Sequence, residues 1–249
     1  MVFYYNIKKD TLKIFRHDFK NKLNTEFKIY DFVISTKKIN EIKKLFMTNN
    51  FIKSIDELPD NLILLNCSSN NIVKINNLPN TLVKLVCDKN KLLELDFLPE
   101  SLKYIDCKKN NISNVDNLPV GLEYLNCSYN NIKNIDNLPN QLEILSCSHN
   151  KIKNILNLPK NIKKLDCSYN NINHIILPQN LIFISIDQKN INNILPNIEN
   201  LINLINMEIN ENNFYYYLIS CKDKKYDFEN NYKCDLLNKN PKLNIKYNI

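Results

Sequence analysis

The sequence predicts a solenoid of the α/β class with mostly β structure, in which short coils stack along one axis. The phrase LPxxLxxLxCxxNxIxxIxN returns every 20 residues, and six copies fill residues 58–176. Self-similarity at a fixed period of this size is typical of solenoid proteins. Apolar residues lie at the same positions in each repeat. If each repeat forms one coil, the stacked coils bury these residues in one shared core. With 249 residues and 44% hydrophobic content, the chain can form one elongated domain around it.

Within one copy, the spacing predicts a short strand followed by a turn. The apolar positions of the first copy are Leu58, Leu62, Leu65, Cys67, Ile72 and Ile75. Leu65 and Cys67 alternate with outward neighbours, as in a strand, and strands repeated in register form a parallel sheet with a spacing of about 4.8 Å. The Leu-Pro pair marks the opposite corner, because proline breaks any helix. Roughly ten residues remain for the outer side, which predicts short extended or 3-10 segments.

An asparagine follows each predicted strand, at the point where the chain turns. The series consists of Asn70, Asn90, Asn110, Asn130, Asn150 and Asn170. Backbone groups in a dry turn need hydrogen-bond partners, and a buried amide can both donate and accept. We therefore expect each asparagine to bind the backbone of its own coil and of an adjacent coil.

These residues resemble the leucine-rich repeat family. The core phrase LxxLxLxxNxL of that family appears here as LEYLNCSYNNI, with Cys in place of the third Leu. The 20-residue length and the Leu-Pro pair are similar to the short repeats of bacterial type III secreted effectors. The abundance of Asn and Ile in these repeats is similar to that in leucine-rich repeat proteins of giant DNA viruses of amoebae. The resemblance implies a ligand-binding scaffold with its parallel sheet on the concave face.

The flanking sequence is predicted to complete the solenoid and to close both of its ends. Residues 1–37 carry alternating apolar letters and predict an N-terminal cap, a β-hairpin, although a separate small functional domain is an alternative. Residues 38–57 read as a degenerate first repeat, and residues 177–213 as degenerate C-terminal repeats. Residues 214–249 are predicted to be a C-terminal cap that begins with the strand FYYYLIS.

The six repeated cysteines are predicted to be small buried hydrophobic residues. They are Cys67, Cys87, Cys107, Cys127, Cys147 and Cys167, and Cys221 and Cys234 lie outside this ladder. Parallel strands would place the sulfurs in a straight row about 4.8 Å apart, whereas zinc needs four ligands about 2.3 Å from one centre. Side chains that run parallel, in a reducing compartment, also disfavour disulfides. We therefore predict no metal site.

The sequence carries no catalytic constellation and implies no cofactor. His149 should face outward where Cys147 faces inward, which argues against a Cys–His nucleophile pair. Asp106 and Asp166 are three coils apart, about 14 Å by the strand spacing, and paired carboxylates need about 5 to 9.5 Å. A chain whose only glycine is Gly121 cannot form a glycine-rich phosphate loop. The chain is therefore predicted not to be an enzyme.

The net charge of +7 comes almost entirely from lysine, since Arg16 is the only arginine. Nucleic acid is disfavoured as a partner, because arginine dominates base and phosphate recognition. The sequence has no leader-like apolar region and no candidate membrane span. It predicts a cytoplasmic location, in the host cytoplasm if the viral resemblance holds, and the nucleus remains an alternative.

The outward positions of the strands, which the resemblance places on the concave face, carry the candidate binding site. They include the residue directly after each cysteine, as in Ser128, and Asp187 in the degenerate coil. An aromatic concentration falls in coils three to six, with acidic neighbours. The predicted site consists of Tyr104, Tyr124, Tyr129, Ile144, His149, Tyr169, Asp106 and Asp166. Tyrosine offers a large contact area with a polar tip and is enriched at interface hot spots.

These residues predict a non-catalytic scaffold that binds a protein, a host protein if the viral resemblance holds. The competing structural interpretation is that tyrosine is simply a good strand residue. Two other functions remain open, namely the substrate-recognition subunit of a ubiquitin-ligase complex and a salt-dependent binder of nucleic acid or anionic lipid.

Overall fold

A computed structural model gives the architecture of the repeats and of short flanking segments. It describes residues 3–8, 10–16, 26–28, 41–56, 58–187, 206–210 and 244–248. The predicted strand FYYYLIS, together with Cys221 and Cys234, lies outside these residues.

Sixteen short strands are present in the described part of the chain. They are β1 (Phe3–Lys8), β2 (Thr11–Arg16), β3 (Glu26–Lys28), β4 (Lys44–Phe46), β5 (Ser54–Asp56), β6 (Leu64–Asn66), β7 (Lys84–Val86), β8 (Tyr104–Asp106), β9 (Tyr124–Asn126), β10 (Ile144–Ser146), β11 (Asn154–Ile155), β12 (Lys164–Asp166), β13 (His174–Ile175), β14 (Phe183–Asp187), β15 (Asn206–Asn210) and β16 (Asn244–Asn248). The main sheet has the order β1-β2-β4-β6-β7-β8-β9-β10-β12-β14-β15-β16, and β3–β5 and β11–β13 form two small sheets.

The repeats stack as a parallel solenoid, as the period predicts. Leu65 lies opposite Leu85, and Ile105 opposite Leu125, so equivalent positions of successive coils are in register. Each of these three-residue strands buries its central residue and partly exposes the two others. Among the described residues, only Glu41 has a 3-10 conformation, and the outer segments have no helix and little regular structure beyond the short strands β5, β11 and β13. The predicted fold class is therefore confirmed.

The N-terminal strands continue the main sheet. Strands β1 and β2 form an antiparallel hairpin in which Phe3 lies opposite Arg16, and β2 then pairs in parallel with β4. Leu12 and Ile14 of β2 are buried in the same core as the repeats. The extent of an N-terminal cap over residues 1–37 stays a prediction, because much of that range lies outside the described residues.

One apolar core runs through all the regular coils. All six cysteines of the ladder are free thiols with 0% of their surface exposed, which confirms the prediction that they are buried. Burial, as the main cause, raises the pKa of the Cys67 and Cys127 thiols to about 12. These thiols therefore stay protonated and pack as hydrophobic residues.

The asparagine ladder ties each coil to its neighbours, as predicted. The amide nitrogen of Asn110 donates to the carbonyl oxygens of Cys87 (3.1 Å) and Cys107 (2.9 Å). Its side-chain oxygen accepts a hydrogen bond from the backbone N–H of Leu92 at 3.0 Å. The same pattern recurs from Asn70 to Asn170. Each amide thus satisfies backbone groups that a turn inside the solenoid would otherwise leave without partners.

Several residues that the sequence predicts to face outward are buried instead, so these assignments are wrong. They are Asp187, Ser185 and the serines directly after four of the cysteines, Ser68, Ser128, Ser148 and Ser168. Asp187 is 0% exposed, and its carboxylate accepts the backbone N–H groups of Tyr169 (2.8 Å) and Asn170 (3.3 Å). Ser128 is buried as well, and Ser148 donates a hydrogen bond to it across the coils at 3.1 Å. At Ser128 the strand ends one residue before the cysteine, so this side chain already lies in the turn and packs against the adjacent coil. Asp187 still belongs to β14, and its carboxylate binds the turn of the preceding coil.

Candidate protein-binding face

Three rows of side chains cross the outer face of the main sheet, because its strands pair in register. The first row, at the first position of each strand, consists of Lys84, Tyr104, Tyr124, Ile144 and Lys164. The second row, at the third position, consists of Val86, Asp106, Asn126, Ser146 and Asp166. The turn row, two residues after each cysteine, consists of Lys89, Lys109, Tyr129, His149 and Tyr169. All eight residues of the predicted site therefore lie in these rows, on four consecutive coils.

The aromatic residues of the first row stack face to face. The ring centroids of Tyr104 and Tyr124 are 4.1 Å apart, with an angle of 5° between the ring planes. The Nζ atom of Lys84 lies 3.8 Å from the ring centroid of Tyr104. Both faces of the Tyr104 ring are thus covered, by a ring and by an ammonium group. Ile144 follows Tyr124 in the next coil and extends the row with an apolar side chain.

The turn row contains a second stack. The ring of His149 lies between those of Tyr129 and Tyr169, at centroid distances of 3.9 and 4.0 Å. Tyr129 and Tyr169 nevertheless expose 41% and 38% of their surface. The Nζ atoms of Lys108 and Lys109 both lie 5.2 Å from the centroid of the Tyr129 ring. Each stack therefore begins, at its N-terminal end, beside lysine side chains. We call the residues of both stacks, together with Ile144, the aromatic cluster.

The backbone under the turn row has a left-handed conformation. Tyr129, His149 and Tyr169 have φ angles of 57°, 52° and 54°, a region that costs L-residues roughly 1–2 kcal/mol each. The conformation lets the N–H of Tyr129 donate to the carbonyl of Ser148 in the next coil at 2.9 Å. Glycine would adopt it most readily, yet aromatic side chains occupy it. The turn therefore holds these rings in fixed positions.

The two predicted acidic residues are engaged within the coils. A carboxylate oxygen of Asp106 accepts the backbone N–H of Lys108 at 3.2 Å. One of Asp166 accepts both the N–H of Ser168, at 3.2 Å, and its hydroxyl, at 2.7 Å. In the intervening coil, Asn126 makes the same turn contact with an amide oxygen. Both aspartates thus lie on the concave face, but each uses one oxygen to close a turn.

Partial burial shifts the pKa of several groups on this face. It raises the pKa of Tyr104 above the ordinary range, and the neighbouring hydroxyl of Tyr124 adds to the effect. It lowers the pKa of His149, although the charges of Asp166 and Asp187 oppose that change. The hydroxyl of Tyr104 therefore remains a hydrogen-bond donor at neutral pH, and the imidazole between the tyrosines is mainly neutral.

Sequence reasoning placed the rings on one face and predicted that Lys84 and Lys109 also face outward, but it left these lysines out of the site. Lys84 and Lys109 occupy the same repeat positions as Tyr104 and Tyr129, one coil earlier. Only the ring contacts of the lysines show that they extend the two stacks.

Two grooves among the described residues lie outside this face. A groove of about 490 Å³ is lined by Lys133, Asn134, Asp136, Lys151, Lys153 and Asn154, away from the main sheet. No helix among the described residues combines the length and the apolar character that a membrane crossing requires.

Solved structures with the same architecture include bacterial proteins. YopM from Yersinia enterocolitica is 27% identical with a TM-score of 0.60, over 69% of this chain and 38% of that one. A Shigella effector leucine-rich repeat domain is 29% identical with a TM-score of 0.54, over 63% of this chain and 75% of the domain. The internalin InlF from Listeria monocytogenes is 19% identical with a TM-score of 0.53, over 88% of this chain and 73% of that one. The last likeness shows the fold alone.

The chain thus spans well under half the length of the Yersinia protein. No protein-family model and no curated protein sequence matches it. None of these likenesses bears on the resemblance to proteins of giant viruses, which stays a prediction. The repeat phrase, the in-register parallel sheet and the likeness to these structures agree, and the chain has the leucine-rich repeat fold.

Proposed function

We propose that this protein is a non-catalytic scaffold that binds another protein through its concave face. The observation that carries the proposal is the aromatic cluster, in which stacked and partly exposed rings are held by a rigid sheet. Rings fixed before binding lose little conformational freedom when a partner docks. Tyrosine at the centre of a contact surface is a common source of binding energy.

Two further observations support a binding role. The similar Shigella domain belongs to an effector and shares the leucine-rich repeat fold with this chain. The groups that could perform chemistry are also constrained, since the thiols of the ladder are buried with raised pKa values and both site aspartates close turns. The free thiols fit a reducing compartment, and we place the interaction in the cytoplasm, with a host protein as the partner.

The proposal is tested by replacing Tyr104, Tyr124 and Tyr169 with serine in one variant. Truncation of hot-spot residues commonly costs about 2 kcal/mol or more each, so partner binding should fall below detection. The measurement is an affinity pull-down from host-cell lysate, read by mass spectrometry. Titration calorimetry with the purified partner then follows. The melting temperature should fall only modestly, because stacked pairs contribute about 0.5–1.5 kcal/mol.

The matched control replaces Val73, Leu93 and Leu156 with serine, since these side chains are exposed but lie outside the main sheet. It should retain the partner that the tyrosine variant loses. If the tyrosine variant retains the same proteins as the wild type, the concave face is not the binding surface. A large loss of stability with unchanged binding would make the rings structural.

A further inference from the structure

The concave face is graded in charge along the solenoid axis. Its N-terminal part carries Lys84, Lys89, Lys108 and Lys109 against the carboxylates of Asp88 and Asp106. None of these four lysines forms an ion pair with another residue of the described part. One carboxylate oxygen of Asp106 already accepts a hydrogen bond from the backbone N–H of Lys108. This end of the face therefore has an excess of positive charge that the protein does not neutralise itself.

The lysines are also positioned by the rings. The ammonium group of Lys84 lies over Tyr104 at 3.8 Å, and those of Lys108 and Lys109 lie near Tyr129 at 5.2 Å. A cation held over a ring face keeps its donors free to point away from the ring. Each ammonium group thus lies close to a tyrosine ring, and its N–H donors can bind a carboxylate of a ligand that reaches this part of the face.

The stacking decides which kind of ligand fits. Recognition of a nucleic-acid base uses the free face of an aromatic ring. Tyr104 has Tyr124 on one face and Lys84 on the other, and His149 has a tyrosine on both faces. These two rings therefore present mainly their edges to solvent. Such a surface binds side chains better than it binds planar bases.

Beyond the basic N-terminal part, the first row carries one aliphatic side chain, Ile144, before it ends at Lys164. Ile144 lies beside Tyr124 in the first row, three coils beyond Lys84. At a spacing of about 4.8 Å per strand, these positions are about 14 Å apart, a distance that four to five residues of extended chain can span at about 3.3 Å each. A single short segment can therefore contact both ends.

We propose that the partner contributes a short acidic segment with aromatic or apolar residues, whose carboxylates bind the lysines and phenol hydroxyls while its apolar side chains pack on the tyrosine edges and Ile144. This inference rests on the proposed protein-binding function. The inference adds the chemistry of the partner's segment and the direction in which the segment binds. Its acidic end lies towards Lys84 and its apolar end towards Ile144.

The experiment uses defined polymers as probes and measures fluorescence anisotropy with the full chain. The probes are labelled copolymers of glutamate and tyrosine, polyglutamate, copolymers of lysine and tyrosine, and an oligothymidylate. The glutamate–tyrosine copolymer should bind most tightly, and its affinity should fall as salt rises. Reversing charge in the double variant Lys84→Glu with Lys109→Glu should weaken binding about tenfold or more. The control variant Lys133→Glu with Lys153→Glu changes two exposed lysines that line the groove outside the sheet and should bind as the wild type does.

Tightest binding of the oligothymidylate or of the lysine–tyrosine copolymer would overturn the inference, as would binding of no probe. Equal weakening by the control variant would show unspecific charge attraction, which also overturns it. The outcome is separable from the proposed function. If the acidic probes fail while the tyrosine variant still loses its cellular partner, the concave face binds a partner of different chemistry. If the tyrosine variant keeps that partner, the proposed function itself is wrong.

Discussion

The second row shows that an amide oxygen can replace a carboxylate in the turn contact after the strand, and Val86 shows that a coil also forms without this contact. Asn66 and Asn126 accept the N–H two residues later with an amide oxygen, and Asp106 and Asp166 do so with a carboxylate. Burial, as the main cause, and the charge of Asp88 raise the pKa of Asp106, although the N–H of Lys108 opposes the shift. The charge at this position therefore has an unfavourable net effect on the folded state.

We predict that Asp106→Asn raises the melting temperature at neutral pH. The pKa of Asp106 is higher in the folded than in the unfolded state. Asp106 therefore contributes most to the free energy of unfolding when its carboxyl is protonated, below the pKa of the unfolded state near 3.9. This contribution is lost as the pH rises through the higher pKa of the folded state. The amide variant keeps the turn contact without that loss. Its advantage should shrink as pH falls towards 4, which thermal melts across this range will measure. An equal or lower melting temperature at pH 7 would contradict the expectation.

At the scale of the element, the turn after each strand depends on one asparagine. The amide nitrogen of Asn130 donates to the carbonyls of Cys107 (3.1 Å) and Cys127 (3.0 Å), and its oxygen accepts the N–H of Ile112 at 2.9 Å. These contacts join two coils through a side chain that is almost completely buried. Removing the amide would leave several backbone groups without partners in the core.

We predict that Asn130→Leu lowers the free energy of unfolding by about 3 kcal/mol, since each stranded buried group costs about 1–3 kcal/mol. Urea denaturation followed by circular dichroism is the measurement. The control is Asn140→Leu, the same chemical change at an exposed position outside the strands, which should change the free energy by less than about 0.5 kcal/mol. If the Asn130 variant were as stable as the wild type, the asparagine side chains would not be what stabilises the turns.

At the scale of the whole molecule, the regular coils are linked mainly to their nearest neighbours. Backbone hydrogen bonds join adjacent strands, and the asparagine amides join adjacent turns. The stability of such a solenoid is the sum of the coil stabilities and the interfaces between neighbours. Because each interface contains both sets of bonds together with a shared apolar core, we expect the six regular coils to unfold as one unit.

The cysteine ladder provides one reporter in each of these coils. We predict that none of the six thiols reacts with iodoacetamide in the native protein, because all are buried with raised pKa values and the thiolate is the reactive form. With increasing urea, pulsed alkylation read by peptide mass spectrometry should give one common midpoint for all six. Midpoints that increase from the end coils to the central coils would show that the coils unfold separately.

The sequence by itself determined the period, the parallel register and the buried set of leucine, cysteine and asparagine positions. These features are predictable because the same short residue pattern recurs every 20 residues. What the pattern predicts for one coil therefore holds for every coil stacked in register with it. It also placed Tyr104, Tyr124, Tyr129, His149 and Tyr169 on one face. That face follows from strand alternation and from the residues next to the turn.

Only the tertiary structure decided how those side chains meet. The stacking of His149 between two tyrosines and the position of Lys84 over Tyr104 depend on how far one coil is displaced from the next. The burial of Ser128 depends on where its three-residue strand ends, and the burial of Asp187 depends on the contact of its carboxylate with the turn of the preceding coil. A repeat phrase specifies which residues lie at equivalent positions. The contacts between them arise from the packing of one coil on another, because side-chain distances are set by that packing and not by spacing along the chain.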